Sequence, residues 1–181
     1  MSRMVIDYWS GANPILQFKL RKKSGKDSLF ELEVERLVHC GRTARDQLRL
    51  PQHAALPPSA TGDRRPVHGA VAFLVPAVNA THSEKIQAYD IKNNAEVEPV
   101  IFFDEQEKMY VTVGSDHADR NLESTAGPKS KLWMPKIMGG EAWLYEEIKE
   151  HWDYLILRMS AYMEGIHRLY MDDRISEILP P

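Results

Sequence analysis

The chain of 181 residues has 43% hydrophobic and 27% charged residues, ordinary values for a folded globular protein that exclude a disordered one. A formal net charge of -3 gives no electrostatic basis for nucleic acid or an anionic membrane as partner, and no segment approaches the ~20 apolar residues of a membrane helix. The lone cysteine, Cys40, cannot close an internal disulfide, and residues 1 to 11 lack the pattern of an export signal, so the expected location is cytoplasmic.

One domain over residues 1–181 is expected at this length. Leu16, Phe18 and Leu20 alternate with polar residues, as do Phe30, Leu32 and Val34 against Glu31, Glu33 and Glu35, which predicts a hairpin with one wet face around Lys22 to Asp27. Residues 41–68 hold Pro51, Pro57, Pro58 and Pro66 with Gly41 and Gly62, and are expected to form an irregular loop region. Ala70 to Val78 and Lys85 to Asp90 read as strands. Glu96 to Phe103 and Lys108 to Val113 read as a second hairpin around Asp104 to Glu107.

Further along, Trp143, Leu144, Ile148 and Trp152 share a face if Glu141 to Trp152 is helical, which makes this the strongest helix prediction in the chain. Tyr154 to Met159 follows as a strand, and Asp173 to Leu179 as a short terminal helix before Pro180 and Pro181. The class expected is α+β, mainly β, with a few peripheral helices.

Residues two apart in a strand point to one face, so Glu96 and Glu98 project together. Such a pair either sits in water or shares a cation. Asp116, at the end of the adjacent strand, adds a third carboxylate and completes an all-oxygen set. That set suits Mg2+, with Mn2+ or Ca2+ as alternatives, and disfavours zinc, for which no thiolates or histidine pairs are at hand.

The motif Asp116-x-x-x-Arg120-x-x-Glu123 resembles the Asp-x-x-x-Arg-x-x-Gln signature of the fumarylacetoacetate hydrolase superfamily, and Glu96-Val97-Glu98 resembles its Glu-x-Glu metal motif. The pattern of Val34 to Val38, Arg45-Asp46, Glu96 to Val100, Gly114 to His117, Ser130-Lys131, Pro135-Lys136 and His151 to Asp153 is similar to the family called domain of unknown function 2848, over residues 28–170. The resemblance implies a mixed β-sheet roll. It also implies a metal ion on Glu96, Glu98 and Asp116 that acts on a small 2-oxo or 1,3-diketo acid, by carbon–carbon hydrolysis, hydration or decarboxylation through a stabilised enolate.

In that frame Arg120 either orients Asp116 or holds a substrate carboxylate, and Glu123 lies with it at the substrate. Lys131 stands where the family lysine neutralises charge on a substrate oxygen, with Lys129 as the neighbouring alternative. His53 takes the place of the catalytic base. Two departures stand out: His53-Ala54-Ala55-Leu56 lacks the glutamate of the superfamily His-x-x-Glu pair, and Glu123 replaces the glutamine. They leave open the alternative of a non-catalytic relative, a metal-binding, small-molecule-binding or scaffold protein. A homodimer is the partner the superfamily implies.

Overall fold

The alternation around Phe18 folds as a hairpin in the computed structural model, which describes residues 13–41, 71–88 and 92–177. Strands β1 (Ile15–Arg21) and β2 (Ser28–Glu33) are antiparallel, with Phe18 opposite Phe30. Leu16, Phe18 and Leu20 are buried while Glu31 and Glu33 face water. The turn reverses at Gly25, whose φ of 75° an L side chain rarely adopts.

Short pairings come next. Strand β3 (Leu37–Gly41) pairs antiparallel with β4 (Val71–Val75). After a short 3-10 turn at Ala77–Asn79 come β5 (Ala80–Thr81) and β6 (Asn93–Asn94). The strand expected from Lys85 to Asp90 is absent over 85–88, and residues 89 and 90 lie outside the described residues, as do 42–68 of the proline-rich segment.

The second predicted hairpin is present as β7 (Val97–Phe103) and β8 (Met109–Asp116). Asp104 closes its turn by accepting from the amides of Gln106 and Lys108 and from the Tyr110 hydroxyl. Short β9 (Ala118–Asp119) then pairs with β6 and leads into helix α1 (Arg120–Trp133), where the Asp119 carboxylate caps the Leu122 amide at 2.9 Å.

Helix α1 is hidden in the sequence because Gly127 and Pro128 interrupt it. The backbone leaves helical geometry at Ala126 (φ -149°, ψ 66°), so two helical turns meet at a kink, the second restarting at a proline that needs no amide partner there.

The segment expected to be the strongest helix is mostly something else. Residues Glu141–Leu144 form strand β11, which inserts between β1 (parallel) and β8 (antiparallel), and only then do a single α turn, α2 (Tyr145–Ile148), and a 3-10 helix (Lys149–Tyr154) follow. Sheet pairing on both edges, with Ala142 fully buried, outweighs the helical period of Trp143, Leu144, Ile148 and Trp152. Strand β10 (Lys136–Met138) lies on the same edge of β8 as β11. Gly139 and Gly140 carry the chain from one to the other, anchored by Gly139 N to Val113 O at 2.7 Å and Lys19 N to Gly140 O at 2.8 Å.

The seven-stranded mixed sheet runs β2-β1-β11-β8-β10-β5, with β7 on the opposite edge of β8. Its central strand is buried on both faces. Tyr110 stacks with Phe102 and Phe30 in a core that includes Phe18, whereas Val111 joins Trp152, Leu157 and Ile175 in a second cluster. The chain ends in a long hairpin, β12 (Ile156–Met163) and β13 (Ile166–Arg174). Asp173 and Arg174 thus belong to a strand, not to the predicted terminal helix; a 3-10 turn covers Ile175–Glu177, and the remainder lies outside the described residues. The fold is mainly β with a mixed sheet and few helices. No helix among the described residues is long and apolar enough to cross a membrane.

Candidate functional site

The β7–β8–β10 register assembles the site. Lys136 lies opposite Asp116 across β10 and β8, and the Asp116 amide donates to the Glu96 carbonyl at 2.8 Å, so Lys136, Asp116 and Glu96 form one row across three chain segments. The next row is Met138, Gly114 and Glu98. Opposed residues share a face, and the two-residue period then puts Glu96, Glu98 and Asp116 on the same side. One ligand oxygen from each lies within 4.8 Å of the others.

Gly114 is a requirement of this arrangement. A Cβ there would sit 2.5 Å from Val100 Cγ2 and 2.9 Å from the Ile137 carbonyl oxygen, and the carbonyl is fixed backbone. Gly114→Ala is expected to destabilise the protein by about 1–3 kcal/mol. Urea denaturation measures it, and a change near zero would mean that the strands are not held this closely.

Helix α1 supplies further charges. From its second half, the Lys131 ammonium bridges Glu96 Oε2 at 2.7 Å and Asp116 Oδ2 at 2.6 Å. From the first half, Arg120 donates to Glu96 Oε1 at 2.6 Å and to Glu123. Arg120 therefore holds Glu96, and Glu123 braces its guanidinium from the other side. Lys136, from β10, donates to Asp116 Oδ1 and to the His117 carbonyl at 2.9 Å. Lys129 is exposed and takes no part in the cluster.

Burial and these partners set the ionisation. Burial alone would raise Glu96, but the Lys131 and Arg120 hydrogen bonds hold its carboxyl below the ordinary range. Burial opposes the charge on Lys131, yet its bonds to Asp116 and Glu96 keep the ammonium above its usual value. For Lys136 burial wins and the pKa falls. Glu98 is the exception among the acids: burial, then the Asp116 charge, push it up to about 7. Among the described residues its carboxylate has no hydrogen-bond partner. His117 is lowered chiefly by burial, and its Nδ1 lies 2.9 Å from Ser115 Oγ.

The donor set fits a hard divalent cation. Oxygens on opposite sides of one such ion lie roughly 4–5 Å apart, the spread seen here, and a cation there would offset the burial and the Asp116 charge that raise Glu98. A cavity of about 1200 Å3 reaches from Glu98, Asp116 and Lys136 along an apolar wall that includes Phe30, Leu32 and Val100.

Sequence reasoning picked out Glu96, Glu98, Asp116, Arg120, Glu123 and Lys131, and these converge on one end of β7 and β8. His53 lies outside the described residues. In the sequence Lys136 stands out only as part of the Pro135-Lys136 motif. Its role depends on the β8–β10 register, and the sole local signal was a lysine entering an apolar strand.

A model of the family described as "Protein of unknown function (DUF2848)" matches residues 41–181. No curated protein matches the chain. Among solved structures, one titled "Crystal structures of Cg1458" is similar, with a TM-score of 0.56 and 15% identity over 93% of this chain and 69% of that one. At that identity the likeness is one of fold.

Proposed function

We propose that this chain, which belongs to the DUF2848 family by a match over most of its length, is a metal-dependent enzyme acting on a small 2-oxo or 1,3-diketo acid. The reaction class is that of the fumarylacetoacetate hydrolase superfamily: carbon–carbon hydrolysis, hydration or decarboxylation. The observation that carries this reading is the convergence of Glu96, Glu98 and Asp116, the last two lining a cavity, with Glu98 lacking, among the described residues, any hydrogen-bonded cation that would neutralise it. The motifs Glu96-Val97-Glu98 and Asp116-x-x-x-Arg120 support it independently.

Glu96, Glu98 and Asp116 would hold Mg2+ or Mn2+. Bound there, the cation supplies Lewis acidity that draws electron density from the substrate's oxygens. The protein's own groups do the rest. Arg120 and Glu123 fix the Glu96 carboxylate, and Lys136 fixes Asp116, so neither ligand is free to rotate. Lys131 stays protonated and can offer its ammonium to negative charge growing on a substrate oxygen. Four carboxylates (Glu96, Glu98, Asp116, Glu123) face three cationic side chains (Lys131, Lys136, Arg120), so a divalent cation leaves the site one charge positive. That balance suits an anionic substrate.

One observation favours the second reading, a non-catalytic relative: Lys131 and Lys136 already pair with both oxygens of Asp116. Thermal unfolding with increasing Mg2+ or Mn2+ separates the two. Wild type is expected to gain stability, about 2.7 kcal/mol at a hundredfold excess over Kd, while Glu98→Ala gains none. An equal response from both chains, or from neither, would remove the metal from the site. Turnover of oxaloacetate or an acylpyruvate by the loaded protein then tests the reaction class.

A further inference from the structure

Two strands of the main sheet face one another without pairing. Among the described residues β2 pairs only with β1, and β7 only with β8. The sheet nevertheless curls until the two are neighbours, with the Phe30 ring stacked on Phe102 at 5.9 Å and on Tyr110 at 5.2 Å. Followed through the pairings, β2 runs antiparallel to β7: β1 is antiparallel to β2 and parallel to β11, while β11 and β7 are both antiparallel to β8. From the Phe30–Phe102 contact, Leu32 and Val34 therefore lead along β2 in the direction in which Val100 and Glu98 lead along β7. Both runs line the cavity of about 1200 Å3 that also reaches Asp116 and Lys136.

Protein interiors leave few voids larger than a water molecule, so a space of this size between two strands is room for a ligand. Its inner walls are apolar. Phe30, Leu32, Leu37 and Val100 pack on the core only in part, and all four line the cavity. One end is charged, with Glu98, Asp116 and Lys136, and the aromatic stack of Phe30, Phe102 and Tyr110 stands at the other. Glu98 and Phe102 are four residues apart on one face of β7, so the apolar stretch between them is about 13 Å long. An acid of four carbons held by a cation on the triad would fill the charged end alone. Water would then lie against the apolar walls, which is the unfavourable arrangement that a longer ligand relieves.

We propose that the substrate of this site is an acid with a long apolar tail: the 2-oxo or 1,3-diketo head meets the cation on Glu96, Glu98 and Asp116, and the tail lies between β2 and β7 as far as Phe30 and Phe102. The place of the head rests on the metal-dependent reading proposed above, and the place of the tail rests on the groove alone. Leu32 sets the length that is admitted, since it lies midway along the groove on a strand that carries none of the metal-site residues.

Isothermal titration calorimetry of the Mg2+-loaded wild type with 2-oxobutanoate, 2-oxohexanoate, 2-oxodecanoate and 2-oxotetradecanoate reads the tail. Affinity is expected to rise about two- to fourfold per added methylene. The gain should end between 2-oxodecanoate and 2-oxotetradecanoate, whose tail outruns the groove. Leu32→Trp should weaken 2-oxodecanoate at least tenfold, while 2-oxobutanoate binding and the Mg2+-induced rise in unfolding temperature stay as in wild type. If the tryptophan is not tolerated, the wild-type series decides by itself. Equal affinity along the series, lost without Mg2+, overturns the tail and leaves the metal-held head standing. A rise with length that is unchanged without Mg2+ and matched by decanoate keeps the tail in the groove and sinks the metal reading. Affinity that climbs steadily through 2-oxotetradecanoate, a folded Leu32→Trp chain that binds 2-oxodecanoate like wild type, or no binding of any of these acids overturns the proposal.

Discussion

Without added metal, Glu98→Gln is expected to be more stable than wild type above pH 7, by up to about 3 kcal/mol, and equal to it below about pH 4.5. The wild-type carboxyl is pushed from its ordinary value of 4.5 up to about 7 by burial and by the Asp116 charge. A folded-state pKa above the unfolded one means that the folded chain holds this proton more tightly. The stabilisation is therefore complete at low pH and is lost as pH rises through 7. Glutamine keeps the shape and carries no charge to lose. Urea denaturation of both chains at several pH values between 4 and 8 reads the difference, in which most other titrating groups cancel. Parallel stability curves would show that Glu98 is not burdened in this way. Above pH 7 the same substitution should abolish the response to Mg2+, so one side chain exchanges stability for binding.

The cluster around Glu98 was legible because its parts are short-range patterns. Glu96-Val97-Glu98 opens one strand and Asp116 ends the next, so one hairpin brings three carboxylates together without knowledge of the rest of the chain. Lys136 was not legible in that sense, since β10 reaches Asp116 only after a kinked helix whose Gly127 and Pro128 conceal it. The same limit governs the fold. The β1–β2 and β7–β8 hairpins follow from alternation and turn residues. Strand β11 does not, because its four residues are held by β1 and β8 from distant parts of the sequence, and their spacing imitates a helix. Strand β13 lacks alternation, since only Met171 of its nine residues packs on a core cluster.

Phe18→Ala is expected to cost about 3–5 kcal/mol, more than the Gly114→Ala change at the site. The ring is fully buried, stacks on Phe102 with centroids 4.6 Å apart, and receives the His82 ring edge-on at 4.8 Å. Its neighbours are tied into strands on either side and cannot collapse into the vacated space, so the cavity persists. In the same hairpin Leu29 is 82% exposed, and Leu29→Ala should change stability by less than about 0.5 kcal/mol. Phe102 lies on β7, four residues beyond Glu98, which invites the expectation that the loss reaches the site. The β7–β8 ladder argues against it, since seven consecutive pairs from Val97 to Phe103 hold the two strands in register whatever fills the core beneath them. Phe18→Ala should therefore unfold at lower temperature yet retain the Mg2+-induced increment of wild type, whereas Glu98→Ala should lose the increment. Loss of both in Phe18→Ala would show that the carboxylates are positioned by core packing and not by strand register.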